Sequence, residues 1–150
     1  MEFTEEQINR YSRHILLPEV GGKGQKKIAK SRILLVGAGG LGSPAALYLA
    51  AAGVGTIGLI DSDVVDLTNL QHQVLNHTPD ISHHKDHSKK EKIKSIKHKI
   101  LVSMYEERLT AGNALKIFGD YDVVIDGVDN FPAKFLINDA CFVAGKPLVH

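Results

Sequence analysis

Three glycines stand at the spacing Gly37-x-Gly39-x-x-Gly42, directly after the apolar run Ile33-Leu34-Leu35-Val36 and directly before a stretch rich in Ala and Leu. That residue type at that spacing lets a chain hold a phosphate on its own backbone. Gly37 permits a tight turn, Gly39 lets the main chain approach a phosphate with no Cβ in the way, and Gly42 lets the following helix pack close to the strand. The helix N-terminus then offers unpaired N–H groups and the positive end of its dipole to an anion. Asp61 comes nineteen residues after Gly42, at the end of a second apolar run, where a carboxylate can accept ribose hydroxyls. The combination points to a nucleotide site rather than a bare tight turn. It does not choose between NAD and ATP, because one fold serves both.

The elements around these residues read as alternating strands and helices. Glu5 to Leu17 carries Ile8, Tyr11, Ile15 and Leu16 at helical spacing and meets Pro18, so one helix is expected there. Gly21, Gly22 and Gly24 read as a turn, and Gln25 to Ser31 as a second helical piece. Ile33 to Val36 is continuous in apolar residues, as a parallel strand covered on both faces must be. With the glycine loop, a helix over Ser43 to Ala52 and a strand over Thr56 to Ile60, it makes a βαβ unit. Asp61 to Asp80 reads as irregular loop. Lys85 to Lys99 reads as an amphipathic helix, with Ile93, Ile96 and Ile100 inward and seven lysines on a solvated face. A strand over Leu101 to Tyr105 follows, then a helix over Leu109 to Phe118 with Thr110 as its N-cap. A strand over Tyr121 to Ile125, a helix over Phe131 to Ala144 and a strand starting at Leu148 complete the pattern. The expected fold is α/β: a Rossmann-like, doubly wound, mainly parallel sheet (31–150) behind an N-terminal helical arm (1–30).

Composition narrows the functions available. At 150 residues, 43% hydrophobic and 23% charged, the chain has room for one ordinary globular domain. A formal net charge of +1 argues against general nucleic-acid binding. Cys141 is the single cysteine, so neither an internal disulfide nor a CxxC motif exists, which fits a reducing compartment. The N-terminal residues are acidic and polar, unlike a signal peptide, and the apolar stretches are too short or too interrupted to span a bilayer. A cytoplasmic protein is the expectation.

Further along, the residues match one family block by block. Asp61-Ser62-Asp63 followed by Thr68-Asn69-Leu70-Gln71-His72-Gln73 resembles the D-x-D…NLQRQ segment of the ThiF/MoeB/HesA family, bacterial relatives of the ubiquitin-activating enzymes. Tyr11-Ser12-Arg13-His14-Ile15-Leu16-Leu17, the Gly37 to Gly42 loop, Ala52-Gly53-Val54-Gly55, Asp126 to Phe131 and Asn138-Asp139-Ala140-Cys141 resemble its other blocks, in order. The resemblance implies ATP-dependent adenylation of the C-terminal glycine of a ubiquitin-like sulfur-carrier protein ending in Gly-Gly, of the molybdopterin or thiamine type. It implies that Gly37, Gly39, Gly40 and Gly42 cradle the nucleotide and that Asp61 binds the ribose. Asn69 and Gln71 would hydrogen-bond the phosphate region, with Asp63, Thr68 and His72 lying in the same segment. Lys85 would place a point charge on the phosphates. Asp129 would hold Mg²⁺, with Asn130 beside it. Arg13 would reach across a homodimer interface to the partner's ATP. Neither nucleic acid nor membrane is an expected partner.

Taken one at a time, several of these residues have plainer readings. Arg13 reads as a surface ion-pair residue, Lys85 as part of a solvated lysine face and Asp63 as a loop residue bonding its own backbone. Asp129 reads equally well as the N-cap of the next helix, and Cys141 as core packing. His83 and His87 have i, i+4 spacing for a metal, but exposed loop histidines are the plainer reading. The chain also departs from the family. His72 stands where the family has arginine, an imidazole in place of a permanently charged fork. Ser82-His83-His84-Lys85-Asp86-His87 stands where it reads G-x-P-K-V-E, Lys97-His98 replaces an Asn-Pro turn, and Val128 replaces a threonine. The family's zinc-binding CxxC pairs and sulfur-relay cysteine belong beyond the strand starting at Leu148, so the domain is expected to be truncated at His150. Two alternatives stay open: a non-catalytic nucleotide- or carrier-binding module of the same fold, and an NAD-dependent oxidoreductase.

Overall fold

The computed structural model describes residues 2–62, 68, 70, 71, 73–75, 86–97 and 99–150. Five parallel strands form one sheet in the order β3-β2-β1-β4-β5: β1 (Arg32–Val36), β2 (Thr56–Ile60), β3 (Leu101–Tyr105), β4 (Val123–Asp126) and β5 (Leu148–Val149). β1 sits at the centre, with Leu35 beside Leu59 on one side and Ile125 on the other. Its side chains alternate between two cores. Ile33 and Leu35 meet α4 (Gly42–Ala52) and α5 (Asp86–Ile96) through Ala46, Ala50 and Ile93. Leu34 and Val36 meet α6 (Ala114–Gly119) and α7 (Phe131–Ala144) through Phe118, Ile137 and Cys141. Helices on both faces of a parallel sheet make the fold doubly wound and Rossmann-like, and they explain why β1 carries no polar alternation.

The N-terminal arm differs from its sequence reading. In place of one helix over Glu5 to Leu17 there are α1 (Glu5–Arg10), held by a Thr4–Gln7 capping box, and α2 (Ser12–Ile15), with a break at Tyr11. Tyr11 is buried and its ring fills the space beside Gly53, where a Cβ would lie 2.8 Å from Tyr11 Cζ. Anchoring that ring outweighs continuing the helix. The glycines expected in a turn instead begin α3 (Gly21–Lys30), with Gly21 at φ +57 as the entry and the rest helical. Gln25, wholly buried on α3, donates to Ala52 O at 2.8 Å and contacts His14 Nδ1 at 3.1 Å. The arm is thereby fastened to the end of α4.

Two boundaries near the site also move. α6 begins at Ala114, not Leu109, and Thr110 is not its N-cap. Asn113 takes the intervening residues into a turn: its Oδ1 accepts from Thr110 N, and its Nδ2 donates to Glu107 Oε2 and Arg108 O. A side chain that satisfies three groups of the preceding segment holds it out of the helix. β4 starts at Val123, two residues later than expected, and Tyr121 before it is buried in the core. Among the described residues, no helix is long and apolar enough to cross a membrane.

Candidate nucleotide site

Strand order lays the candidate residues out in a line at the C-terminal edge of the sheet. Arg108 and Leu109 follow β3, Asp61 follows β2, the glycine loop follows β1, and Gly127 to Asn130 follow β4. Strand order reverses between β1 and β4, all strands staying parallel, and this is where ligands of open α/β sheets bind. These residues line a cleft of about 870 Å³, large enough for a nucleotide.

The loop is built by close backbone approach. Gly37 has φ +87, and its N–H donates to Ile60 O at 2.8 Å. A Cβ on Gly42 would lie 1.9 Å from Gly37 O, and one on Gly127 would lie 2.5 Å from the same oxygen. Gly127 N donates to Val36 O at 2.8 Å, so the ends of β1 and β4 are clasped together beneath the cleft. Ser43 Oγ, fully buried, donates to Ala38 O at 2.7 Å and fixes the loop from inside. No side chain caps the start of α4; in its first turn Ser43 N donates to Gly39 O at 2.9 Å and Pro44 has no N–H, so the backbone that lines the cleft is that of the loop, Gly37 to Leu41. Gly37, Gly39 and Gly40 line the cleft, while Gly42 packs behind it.

Asp61 is largely buried, lines the cleft, and forms an ion pair with Lys89, whose Nζ lies 2.6 Å from Asp61 Oδ2. Lys89 itself is wholly buried, which corrects the reading of all seven lysines as a solvated face. On the other side of the loop, Asp126 organises the turn: Val128 N donates to its Oδ1 at 2.9 Å and Lys134 Nζ to its Oδ2 at 2.8 Å. Asn130, not Asp129, caps α7, its Oδ1 accepting from Ala133 N at 3.0 Å. Asp129 is therefore spared the capping role and faces the cleft, exposed, beside Asn130.

Other expected residues are not gathered here. Arg13 is exposed on α2, and Thr68 and Gln71 are exposed; none of the three lines the cleft. Asp63, Asn69, His72 and Lys85 lie outside the described residues. The cleft also contains groups the sequence reading did not single out as site residues. Gln73 is buried, with Nε2 3.6 Å from the place of a Cβ on Gly39. Arg108 is the only cation lining the cleft among the described residues. Gln73 was legible as the last residue of the NLQHQ segment; Arg108 had no local signal.

Asp129 suits magnesium by donor type: Mg²⁺ takes one or two carboxylates and leaves its other positions to phosphate oxygens and water. Among the described residues no cluster of three His, Cys, Asp or Glu comes together, so a metal here needs the nucleotide's oxygens as well. Cys141 is buried in the α7 core, where burial raises its thiol pKa, so it does not offer a thiolate to a metal.

A Rossmann-like sheet with a glycine loop, a carboxylate at the end of β2 and a second carboxylate across the loop defines a nucleotide-binding domain. The chain belongs to the ThiF family, whose model matches residues 11–150. It is 49% identical over 146 residues to a probable adenylyltransferase/sulfurtransferase, MoeZ, of Mycobacterium tuberculosis, covering 97% of this chain and 37% of that protein. It is 43% identical over 149 residues to a sulfur carrier protein adenylyltransferase of Thermus thermophilus, covering 99% of this chain and 55% of that one. The chain thus spans between about a third and a little over half the length of these relatives. Among solved structures, the E. coli tRNA N6-threonylcarbamoyladenosine dehydratase TcdA in complex with ATP matches with a TM-score of 0.89 at 29% identity, covering 99% of this chain and 60% of that one.

Proposed function

We propose that this chain carries the ATP site of an adenylyltransferase that activates the C-terminal glycine of a ubiquitin-like sulfur-carrier protein ending in Gly-Gly. The single observation that carries the reading is the line Arg108–Asp61–glycine loop–Asp129 across the sheet edge. It matches the order base, ribose, phosphates, metal. The names of the two curated relatives and the ATP complex of TcdA support ATP as the nucleotide.

Each residue then has a chemical task. The loop amides, with the positive end of the α4 dipole behind them, hold phosphate oxygens without using side-chain charge. Asp61 accepts from the ribose hydroxyls, and the exposed Arg108 guanidinium lies against the base. The carrier's C-terminal carboxylate oxygen attacks the α-phosphorus; a new P–O bond forms, the bond to the β-phosphate oxygen breaks, and pyrophosphate leaves with the electron pair. Positioning and charge neutralisation are what such a step requires. Asp129, with Asn130 beside it, would hold Mg²⁺, which when bound neutralises charge growing on the leaving phosphates. Lys85 adds a second positive charge, and Asn69, Gln71, Thr68, Asp63 and His72 supply polar contacts along the phosphate side. Arg13 serves the site of a partner copy, since on its own protomer it does not line the cleft. The setting is cytoplasmic.

Calorimetric titration of ATP–Mg²⁺ against NAD tests the nucleotide. ATP is expected to bind at least ten times more tightly, roughly the value of one charge-assisted contact to phosphate. Tighter binding of NAD would overturn the reading.

A further inference from the structure

We infer that Lys89 is a positioning residue: it holds the Asp61 carboxylate in place to accept the ribose hydroxyls, and so makes the site prefer ribonucleotides to deoxyribonucleotides. The inference rests on the proposed nucleotide site and adds to it a residue outside the cleft wall.

Lys89 lies one helical turn before Ile93 on α5, and both are wholly buried. That position belongs to the inward face, where an aliphatic side chain would be expected. Lys90, Lys92, Lys94, Lys97 and Lys99 are all partly or fully exposed, so Lys89 alone among the described lysines is wholly buried. A buried ammonium requires a partner, and the chain provides Asp61 Oδ2 at 2.6 Å. Stability alone does not account for the choice, because a buried ion pair is commonly no better than well-packed apolar residues in the same space. Geometry does account for it. Asp61 lines the cleft and Lys89 does not, so the ammonium stands behind the carboxylate and acts on the ligand only through it. A carboxylate offers about four acceptor positions. A cation behind it therefore fixes its rotation, with the cleft-lining side of the carboxylate turned to a ribose diol. Without that cation, a nearly buried carboxylate turns toward other donors, and the ribose contact is lost first.

The test is the ratio of affinities for ATP and 2′-deoxy-ATP, measured with Mg²⁺ on the whole chain for the wild type, Lys89→Met and Lys89→Arg, with thermal unfolding run on each. The wild type is expected to prefer ATP by about tenfold, the worth of a hydrogen bond to a charged acceptor. Lys89→Met is expected to bind ATP about tenfold more weakly and 2′-deoxy-ATP almost unchanged, so the ratio falls toward one, and Lys89→Arg to keep most of the preference. Should Lys89→Met fail to fold, Lys89→Gln, an uncharged donor, is expected to give a ratio between those of the wild type and one. Wild-type preference in either folded uncharged variant overturns the inference while leaving the nucleotide site standing. A wild type that binds neither nucleotide overturns the site itself, and the inference with it.

Discussion

Gly42 and Gly37 touch so closely that a Cβ on Gly42 would lie 1.9 Å from the Gly37 carbonyl oxygen. Gly39, two residues on from Gly37, has no such neighbour; its Cβ would meet Gln73 Nε2 at an ordinary 3.6 Å. The two glycines therefore serve different ends, and alanine separates them. Gly42→Ala is expected to cost about 3 kcal/mol of stability, because backbone must move, lowering Tm by roughly 10 °C. Gly39→Ala is expected to leave Tm within about 2 °C and to weaken ATP binding, since its methyl group occupies phosphate space. Thermal unfolding and ATP titration of the two variants check this; equal Tm losses would contradict it.

Asp129 faces the cleft, exposed, while Asn130 caps α7. Asp129→Asn should change stability by less than about 0.5 kcal/mol. It should slow ATP–pyrophosphate exchange by about a hundredfold or more, as loss of a group acting on transition-state charge does. Asn130→Ala should do the reverse, costing about 1 kcal/mol through the lost cap with a smaller effect on rate. Unfolding and exchange measurements on both variants decide between capping and catalysis at each position.

Arg13 stands outside its own protomer's cleft. If it serves a partner copy, Arg13→Ala and Asp129→Ala fail for reasons that different subunits can repair. Refolding the two inactive variants together in equal amounts should restore about a quarter of wild-type exchange: half the dimers are mixed and each has one intact site. No recovery on mixing would contradict service to a partner copy.

Tyr121 gives a pH signature independent of the site. Burial, and then its 3.0 Å hydrogen bond with Tyr105 OH, raise its phenol pKa well above the ordinary 10.0. The unfolded chain therefore loses this proton first, and the stabilisation, fully present below pH 10, is lost as pH rises through 10 toward the folded-state value. The slope reaches about 1.4 kcal/mol per pH unit. Lys97 works in the opposite sense: burial, and then Arg10, hold it below its usual 10.5, so its contribution improves as pH rises toward that value. Urea unfolding between about pH 9 and pH 11.5 should show a shallower alkaline decline for Tyr121→Phe than for the wild type; parallel declines would contradict the assignment.

The parts of the fold and site legible in the sequence are those fixed by local spacing. The glycine loop, Asp61 at the end of β2 and the all-apolar β1 each state their role within a few residues. The unread parts depend on distant contacts. Tyr11 breaks the first helix because of Gly53, and Arg108 reaches the cleft because Asn113 holds the segment before α6 in a turn. Lys89 was hidden by its own neighbours: in a run of seven lysines nothing local marks the one that turns inward, and only the position of Asp61 at the end of β2 calls for it.

The most direct measurement of the central claim is ATP–pyrophosphate exchange by this chain, with Mg²⁺ and a purified sulfur carrier ending in Gly-Gly. Exchange that requires the carrier's intact C-terminal glycine, and that drops by about a hundredfold or more in Asp129→Asn, is the expected result. ATP binding with no carrier-dependent exchange would contradict the claim and leave a nucleotide-binding module without adenylation chemistry.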